Sequence, residues 1–317
     1  MADPRDDRRR WLLGVASAAV VGCSKHGCSR AAPEDLPKVD TSEVELHELD
    51  FDRNRGGPQK ASVLVPRWGP PGTKYPLLIA LHGRGEANRG LEVGAWGWIR
   101  DYWLDRTAIR LRHPPLNHQD LLGLSNTRYL DRLNKRIQTP PFEGLVVVCP
   151  HTPDILATDD LDAAAPFAAF LVEHLLEEVR RRFPVIPTRE ATGIDGVSLG
   201  GRMALLAATE QPAAFGVVGT LQAAFRVGEV GAVASRVADA WGSDPHPGAL
   251  RILTSDDDPF RPTLHKLTVA LGGSGIPVRY DVVPGPHDYD FNRGPGGFDM
   301  LSWHDGALRG RGLLDAG

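Results

Sequence analysis

Cysteine is scarce in this sequence. Three occur in 317 residues, too few for a disulfide framework. No His-Glu-x-x-His run is present and no cysteine pairing suggests a metal, so nothing points to a metal or another cofactor. An excess of one charge is missing as well. The formal net charge is -4, and no basic stretch is interleaved with aromatics, so no nucleic-acid partner is indicated. Arg180-Arg181-Arg182 ends a predicted helix, where cations complement the dipole. No apolar run is long enough to span a bilayer comfortably. No internal repeat is visible, and nothing in the sequence speaks to oligomeric state.

What is present begins with the first residues. Arg8-Arg9-Arg10 precedes an apolar run from Trp11 to Val21, which suits the apolar part of a secretory signal. Arg9-Arg10-Trp11-Leu12-Leu13 resembles a twin-arginine export signal. Val20-Val21-Gly22-Cys23 resembles a bacterial lipobox, with Val20 where leucine is usual. These features predict an export signal over 1–22, lipidation at Cys23 and a polar tether over 23–40. The expected location is the bacterial cell envelope, and a lipid anchor is the only membrane contact expected. A plain secretory signal or a short buried segment is the alternative. Cys28 falls in the tether and Cys149 closes an apolar strand. The two could pair after export, although a small buried hydrophobe is the simpler reading of Cys149.

Apolar residues make up 42% of the chain, enough for a sizeable core. Val44 to Phe51 alternates like a half-buried edge strand. With Ala61 to Val65 it predicts an antiparallel hairpin. Tyr75 to Leu81, Gly144 to Cys149, Phe215 to Leu221, Leu250 to Thr254 and Val278 to Val283 read as further strands. Pro166 to Phe183, Val227 to Trp241 and Pro262 to Leu271 read as helices. Alternation of this kind predicts one α/β domain over 41–317, a mostly parallel twisted sheet with helices on both faces. A long insertion at about 86–143, carrying Trp96, Trp98 and Trp103, interrupts it. It leaves the sheet beside His82-Gly83 and is expected either to cover the site or to run over the surface.

The chain is organised around Gly196-Val197-Ser198-Leu199-Gly200, a G-x-S-x-G pattern between a predicted strand and helix. A serine on such a turn projects at the carboxyl end of the sheet. The flanking glycines remove side chains where strand and helix cross. Asp256-Asp257-Asp258 and His287 also follow strands, where open α/β sheets place their sites. A serine hydroxyl needs a base, which His287 could supply, and an acid to hold the other ring nitrogen. Pro259 biases Asp258 toward extended geometry, which favours Asp258 over Asp256 and Asp257. Replacing Asp258 by Asn is expected to leave His287 in the wrong tautomer. Leu199 N–H and Arg84 N–H are the candidate oxyanion donors. His82 reads as a structural residue of the loop that holds Gly83, and His151 could line a pocket.

Leu81-His82-Gly83-Arg84-Gly85, the serine motif, Ser255 to Phe260 and Gly285 to Tyr289 together resemble the α/β-hydrolase superfamily. Within it the chain is most similar to the esterase group that includes esterase D-like and enterochelin-esterase-like proteins. The resemblance implies the α/β-hydrolase fold from about Val44 onward and a serine carboxylic-ester hydrolase acting through an acyl-enzyme. A small-molecule or polymeric ester is then the expected substrate. Acyl transfer on the same fold and a non-catalytic binding protein are the alternatives.

Overall fold

The computed structural model describes residues 38–52, 57–242 and 249–311. The expected signal, Cys23, Cys28 and the tether up to residue 37 lie outside the described residues. Among the described residues no helix is long and apolar enough to cross a membrane.

The described chain opens with the expected hairpin, β1 (Val44–Phe51) and β2 (Gln59–Pro66). β3 (Leu77–Leu81) follows. Between it and β4 (Val146–Pro150) lie α1 (Arg84–Ala87), α2 (Leu91–Gly94), α3 (Leu104–Leu111) and α4 (Thr127–Gln138). Then come α5 (Ala165–Phe170) and α6 (Glu177–Arg182), joined by a π-helical stretch, Leu171–Leu176. They form the helical run that the apolar stripe predicts. The nucleophile strand is β5 (Thr192–Gly196) and its helix is α7 (Leu199–Glu210). The remainder is β6 (Val217–Leu221), α8 (Val230–Trp241), β7 (Ala249–Asp257), α9 (Arg261–Gly273), β8 (Val278–Pro286), α10 (Tyr289–Phe291) and α11 (Gly297–Ala307). The strands form one sheet in the order β1-β2-β4-β3-β5-β6-β7-β8. β2 is antiparallel to both neighbours, and the strands from β4 to β8 run parallel.

Successive side chains of a strand point to opposite faces, and here both faces are apolar. Leu77, Ile79, Leu81, Val146 and Val148 belong to one core with α5 to α9. Leu78, Ala80, Val147 and Cys149 belong to a second. That explains why these strands read as unbroken apolar runs rather than as alternation. Cys149 is fully buried, and burial raises its thiol pKa, in keeping with a small hydrophobe.

The second core shows what the insertion does. Trp98, Ile99, Tyr102, Leu104, Leu111, Tyr129, Leu133 and Ile137 are buried in it, together with Phe298, Leu301 and Trp303 of α11. Most of the insertion is therefore a helical layer packed on the sheet rather than a surface excursion. Its first turns lie beside the site, and Tyr102 and Leu124 reach the loops that carry Gly83 and Gly285. The sheet face at Leu78, Ala80 and Val147 requires such a cover, and α4 supplies a narrow apolar stripe at Tyr129, Leu130, Leu133 and Ile137.

Polar side chains pin this layer. Asp299 of α11 is buried, and its Oδ1 accepts from Arg136 of α4 at 2.7 Å and from Arg251 of β7 at 2.8 Å. The Tyr129 hydroxyl donates to Oδ2 at 2.9 Å. Burial alone would raise the Asp299 pKa, but the Arg136 and Arg251 charges hold it well below the usual carboxylate range. A depressed folded-state pKa contributes stability above the unfolded pKa of about 3.9, and that stability is lost as pH falls. Asp299→Asn would remove the carboxylate shared by the buried Arg251 and the largely buried Arg136 guanidinium groups. It is expected to cost about 3–5 kcal/mol at pH 7, measured by denaturant unfolding, with the deficit shrinking below about pH 4. An equal deficit at pH 3 and pH 7 would contradict the ionic account.

Candidate active site

Ser198 stands between β5 and α7 with φ 56° and ψ −112°, a conformation that L-residues rarely adopt. The surroundings impose it. Its N–H donates to Leu221 O at 2.9 Å, and its carbonyl accepts from Ala224 N–H at 3.0 Å, so the turn is tied to the end of β6. The two flanking glycines are required by contact. A Cβ on Gly196 would lie 2.5 Å from the Gly200 backbone, and a Cβ on Gly200 would lie 2.2 Å from Leu81 O. The helix thereby starts directly against the β3 loop.

That loop carries the second half of the site. Leu199 and Arg84 are the first residues of α7 and α1, and first-turn N–H groups have no acceptor within their helix. Gly200 is close to His82 O, and Gly83 to the Val197 side chain, so the two helix starts lie side by side. The Arg84 side chain turns away to Asp154, Nε to Oδ2 2.7 Å. His82 is fully buried. Its Nδ1–H donates to Gly83 O at 2.9 Å and its Nε2 accepts Thr152 N–H at 2.8 Å. Desolvation pushes its pKa down to about 3, so it is neutral and engaged at both nitrogens, as a residue shaping the loop would be. His151 packs on it, ring centroids 5.4 Å apart, and burial lowers its pKa.

His287 follows β8, and its Nδ1 lies 2.9 Å from Asp258 Oδ1. Asp258 is the first residue past β7 and its carboxylate is inaccessible to solvent. Oδ2 accepts the Thr254 hydroxyl at 2.6 Å, and Oδ1 also accepts Phe260 N–H at 3.0 Å. Asp256 and Asp257 are exposed, and Asp256 Oδ1 instead accepts Gly285 N–H at 2.9 Å. No hydrogen bond joins Ser198 to His287 among the described residues; their loops are linked through the end of β6, where Ser198 N–H donates to Leu221 O and Gln222 Nε2 donates to Pro286 O. A Cβ on Gly85 would lie 2.9 Å from the hydroxyl of Tyr289, two residues past His287. Nε2 of His287 has no hydrogen-bond partner among the described residues.

Two features here have no motif in the sequence. Gln222, at φ 46°, is buried and donates from Nε2 to Ser255 Oγ at 2.6 Å and Pro286 O at 2.9 Å. It ties β7 to the residue before His287. Glu86 of α1 is buried between the hydroxyls of Tyr102 and Tyr289. Positive φ at Gln222 and burial at Glu86 appear only in three dimensions.

Comparison with known proteins finds similarity in part of the sequence and in the fold. The Esterase family model, described as "Putative esterase", matches residues 158–258, a stretch that includes Ser198 and Asp258. Solved structures share the fold. The S-formylglutathione hydrolase FrmB of Staphylococcus aureus superposes with a TM-score of 0.57 at 18% identity, over 85% of this chain and 99% of that one. The feruloyl esterase module from Clostridium thermocellum gives 0.58 at 15% identity, over 86% and 91%. The S-formylglutathione hydrolase from Agrobacterium tumefaciens gives 0.56 at 17% identity, over 86% and 99%. No curated protein sequence matches the chain.

Proposed function

We propose that this chain, an α/β-hydrolase of the esterase group, hydrolyses carboxylic esters through an acyl-enzyme on Ser198. His287 Nε2 takes the hydroxyl proton as Oγ attacks the carbonyl carbon. The oxyanion receives Leu199 N–H and Arg84 N–H. His287 then returns the proton to the departing alcohol as the carbon–oxygen bond breaks. A water, deprotonated by the same nitrogen, attacks the acyl carbon; the carbon–Oγ bond then breaks and His287 returns the proton to Ser198 Oγ as the acid leaves. Asp258 holds Nδ1–H and stabilises the imidazolium without taking its proton. The observation that carries the reading is the buried Asp258 carboxylate 2.9 Å from His287; the serine held at φ 56° on its strand–helix turn supports it. A series of p-nitrophenyl esters of graded acyl length, with fluorophosphonate labelling of the serine, tests it. Turnover of no ester together with absence of labelling overturns it.

The substrate is a small-molecule or polymeric ester, and the enzyme works outside the cytoplasm, tethered through lipid on Cys23. The support is the sequence Arg9-Arg10-Trp11-Leu12-Leu13 and Val20-Val21-Gly22-Cys23. Intact mass of the mature protein is expected to show a diacylated Cys23 at the new N-terminus, and Cys23→Ala to move the protein out of the membrane fraction. An unmodified terminus elsewhere leaves only a plain export signal.

A further inference from the structure

We infer that Glu86 is a positioning residue that locks the oxyanion loop to the histidine loop; the inference rests on the esterase reading of Ser198, Arg84 and His287. Glu86 lies two residues past Arg84 and is 1% exposed. A buried carboxylate needs partners for both oxygens, and these come from widely separated parts of the chain. The Tyr102 hydroxyl donates to Oε2. The Tyr289 hydroxyl donates to Oε1 at 2.7 Å. Arg89 approaches Oε1 at 3.5 Å and is itself held by Asp101.

Each tyrosine leads to one half of the reaction centre. The Tyr102 hydroxyl accepts Gly83 N–H at 3.3 Å, and Gly83 is the residue before the Arg84 donor. Tyr289 follows His287 by two residues, and its ring is braced on its other side. Arg293 lies 5.5 Å from the Tyr289 ring and 4.6 Å from that of Trp103, which is itself held at φ 57°. The Gly85 position leaves space for the Tyr289 hydroxyl, since a Cβ there would lie 2.9 Å from it. A continuous path of hydrogen bonds thus runs from Gly83 through Tyr102, Glu86 and Tyr289 to the segment that carries His287. Burial raises the pKa of both tyrosines, which keeps their hydroxyls protonated as donors. The chemistry assigns Glu86 no proton to move. What it fixes is the distance between the oxyanion donor and the base, and displacement on the order of 1 Å at such a site costs about 10²-fold in rate.

The experiment uses the full-length protein, Glu86→Gln, Tyr289→Phe and the double variant. Fluorophosphonate titration counts competent serines, so kcat on p-nitrophenyl acetate is expressed per active site, and thermal midpoints are recorded alongside. Per titrated site, kcat is expected to fall about tenfold in Tyr289→Phe and about a hundredfold in Glu86→Gln, with KM within about twofold. The double variant is expected to be no slower than Glu86→Gln, because the two residues act as one unit. A merely structural role would lower the midpoint and the titratable fraction while leaving kcat per site unchanged, and that result overturns the inference. Multiplied losses in the double variant overturn it too. If Glu86→Gln does not fold, Tyr289→Phe decides alone, since it removes one hydroxyl from a half-exposed ring. A wild type with turnover and labelling but silent variants refutes this inference only. A wild type with neither refutes the esterase reading and this inference with it.

Discussion

Ser198→Ala is expected to lose about 10⁶-fold in ester turnover while keeping the wild-type thermal midpoint. The fold does not depend on the hydroxyl. The turn is held by the Ser198 backbone, whose N–H donates to Leu221 O and whose carbonyl accepts Ala224 N–H. Both survive the change. The strain at φ 56° arises from the Cβ, which alanine also carries, so the substitution neither relieves nor adds to it. Glycine would relieve the strain and change the turn, which makes alanine the cleaner variant. What disappears is the nucleophile, and no neighbouring hydroxyl, thiol or amine stands on the same turn to replace it. The purified variant should also be inert to a fluorophosphonate. Turnover near wild type from a preparation free of contaminating esterase would place the nucleophile elsewhere.

The legible part of the fold was the part written in repetition. Leu77 to Leu81 and Val146 to Val148 are apolar at every position because each face of the sheet has its own core. The strand–serine–helix pattern was legible because Gly196 and Gly200 are demanded by contact, not merely by the flexibility of a turn. Boundaries slipped where polar residues continue a strand. β7 runs on to Asp257 because pairing with β8 continues past the last apolar side chain.

Other parts were illegible for a different reason: polar residues that look like surface lie inside. Asp299, Ser302, His304 and Asp305 make α11 appear solvated, yet all are buried. His304 Nε2 meets Asp195 Oδ2 at 2.9 Å, and Asp195 fits only because a Cβ on Gly219 would lie 2.0 Å from that carboxylate. Pairings of this kind join β5, β6 and α11, and no local pattern encodes them. The polar sequence of α4 hid its role in the same way. At the site, Ser198, His287 and the loop after Leu81 each follow a strand and could be found one by one. Glu86, Tyr102 and Tyr289 meet only after folding, so their association has no sequence signature.

Asp258→Ala is expected to lower turnover by about 10⁴-fold, and the corresponding changes at Asp256 and Asp257 to matter far less. The three carboxylates are adjacent in sequence but divide by direction. Asp256 and Asp257 are exposed at the end of β7, while Asp258 is 5% exposed and faces the imidazole. Asp258→Asn separates two contributions of the acid. Oδ1 accepts both His287 Nδ1–H and Phe260 N–H, so an amide nitrogen placed there would confront two donors. Oδ2 accepts only the Thr254 hydroxyl, which can rotate and accept instead. The amide oxygen of the variant is therefore held toward His287, and the imidazole keeps its working tautomer. This revises the expectation drawn from sequence, in which the asparagine would impose the wrong one. Only the charge that stabilises the imidazolium is removed. A hydrogen bond to a charged group contributes about 1.5–3 kcal/mol, so Asp258→Asn should cost on the order of 10²-fold, clearly less than Asp258→Ala. Equal losses in the two variants would mean that the amide turns over and the tautomer is lost. A nearly silent Asp258→Ala beside an inactive Asp257→Ala would move the acid by one residue and break the argument from burial.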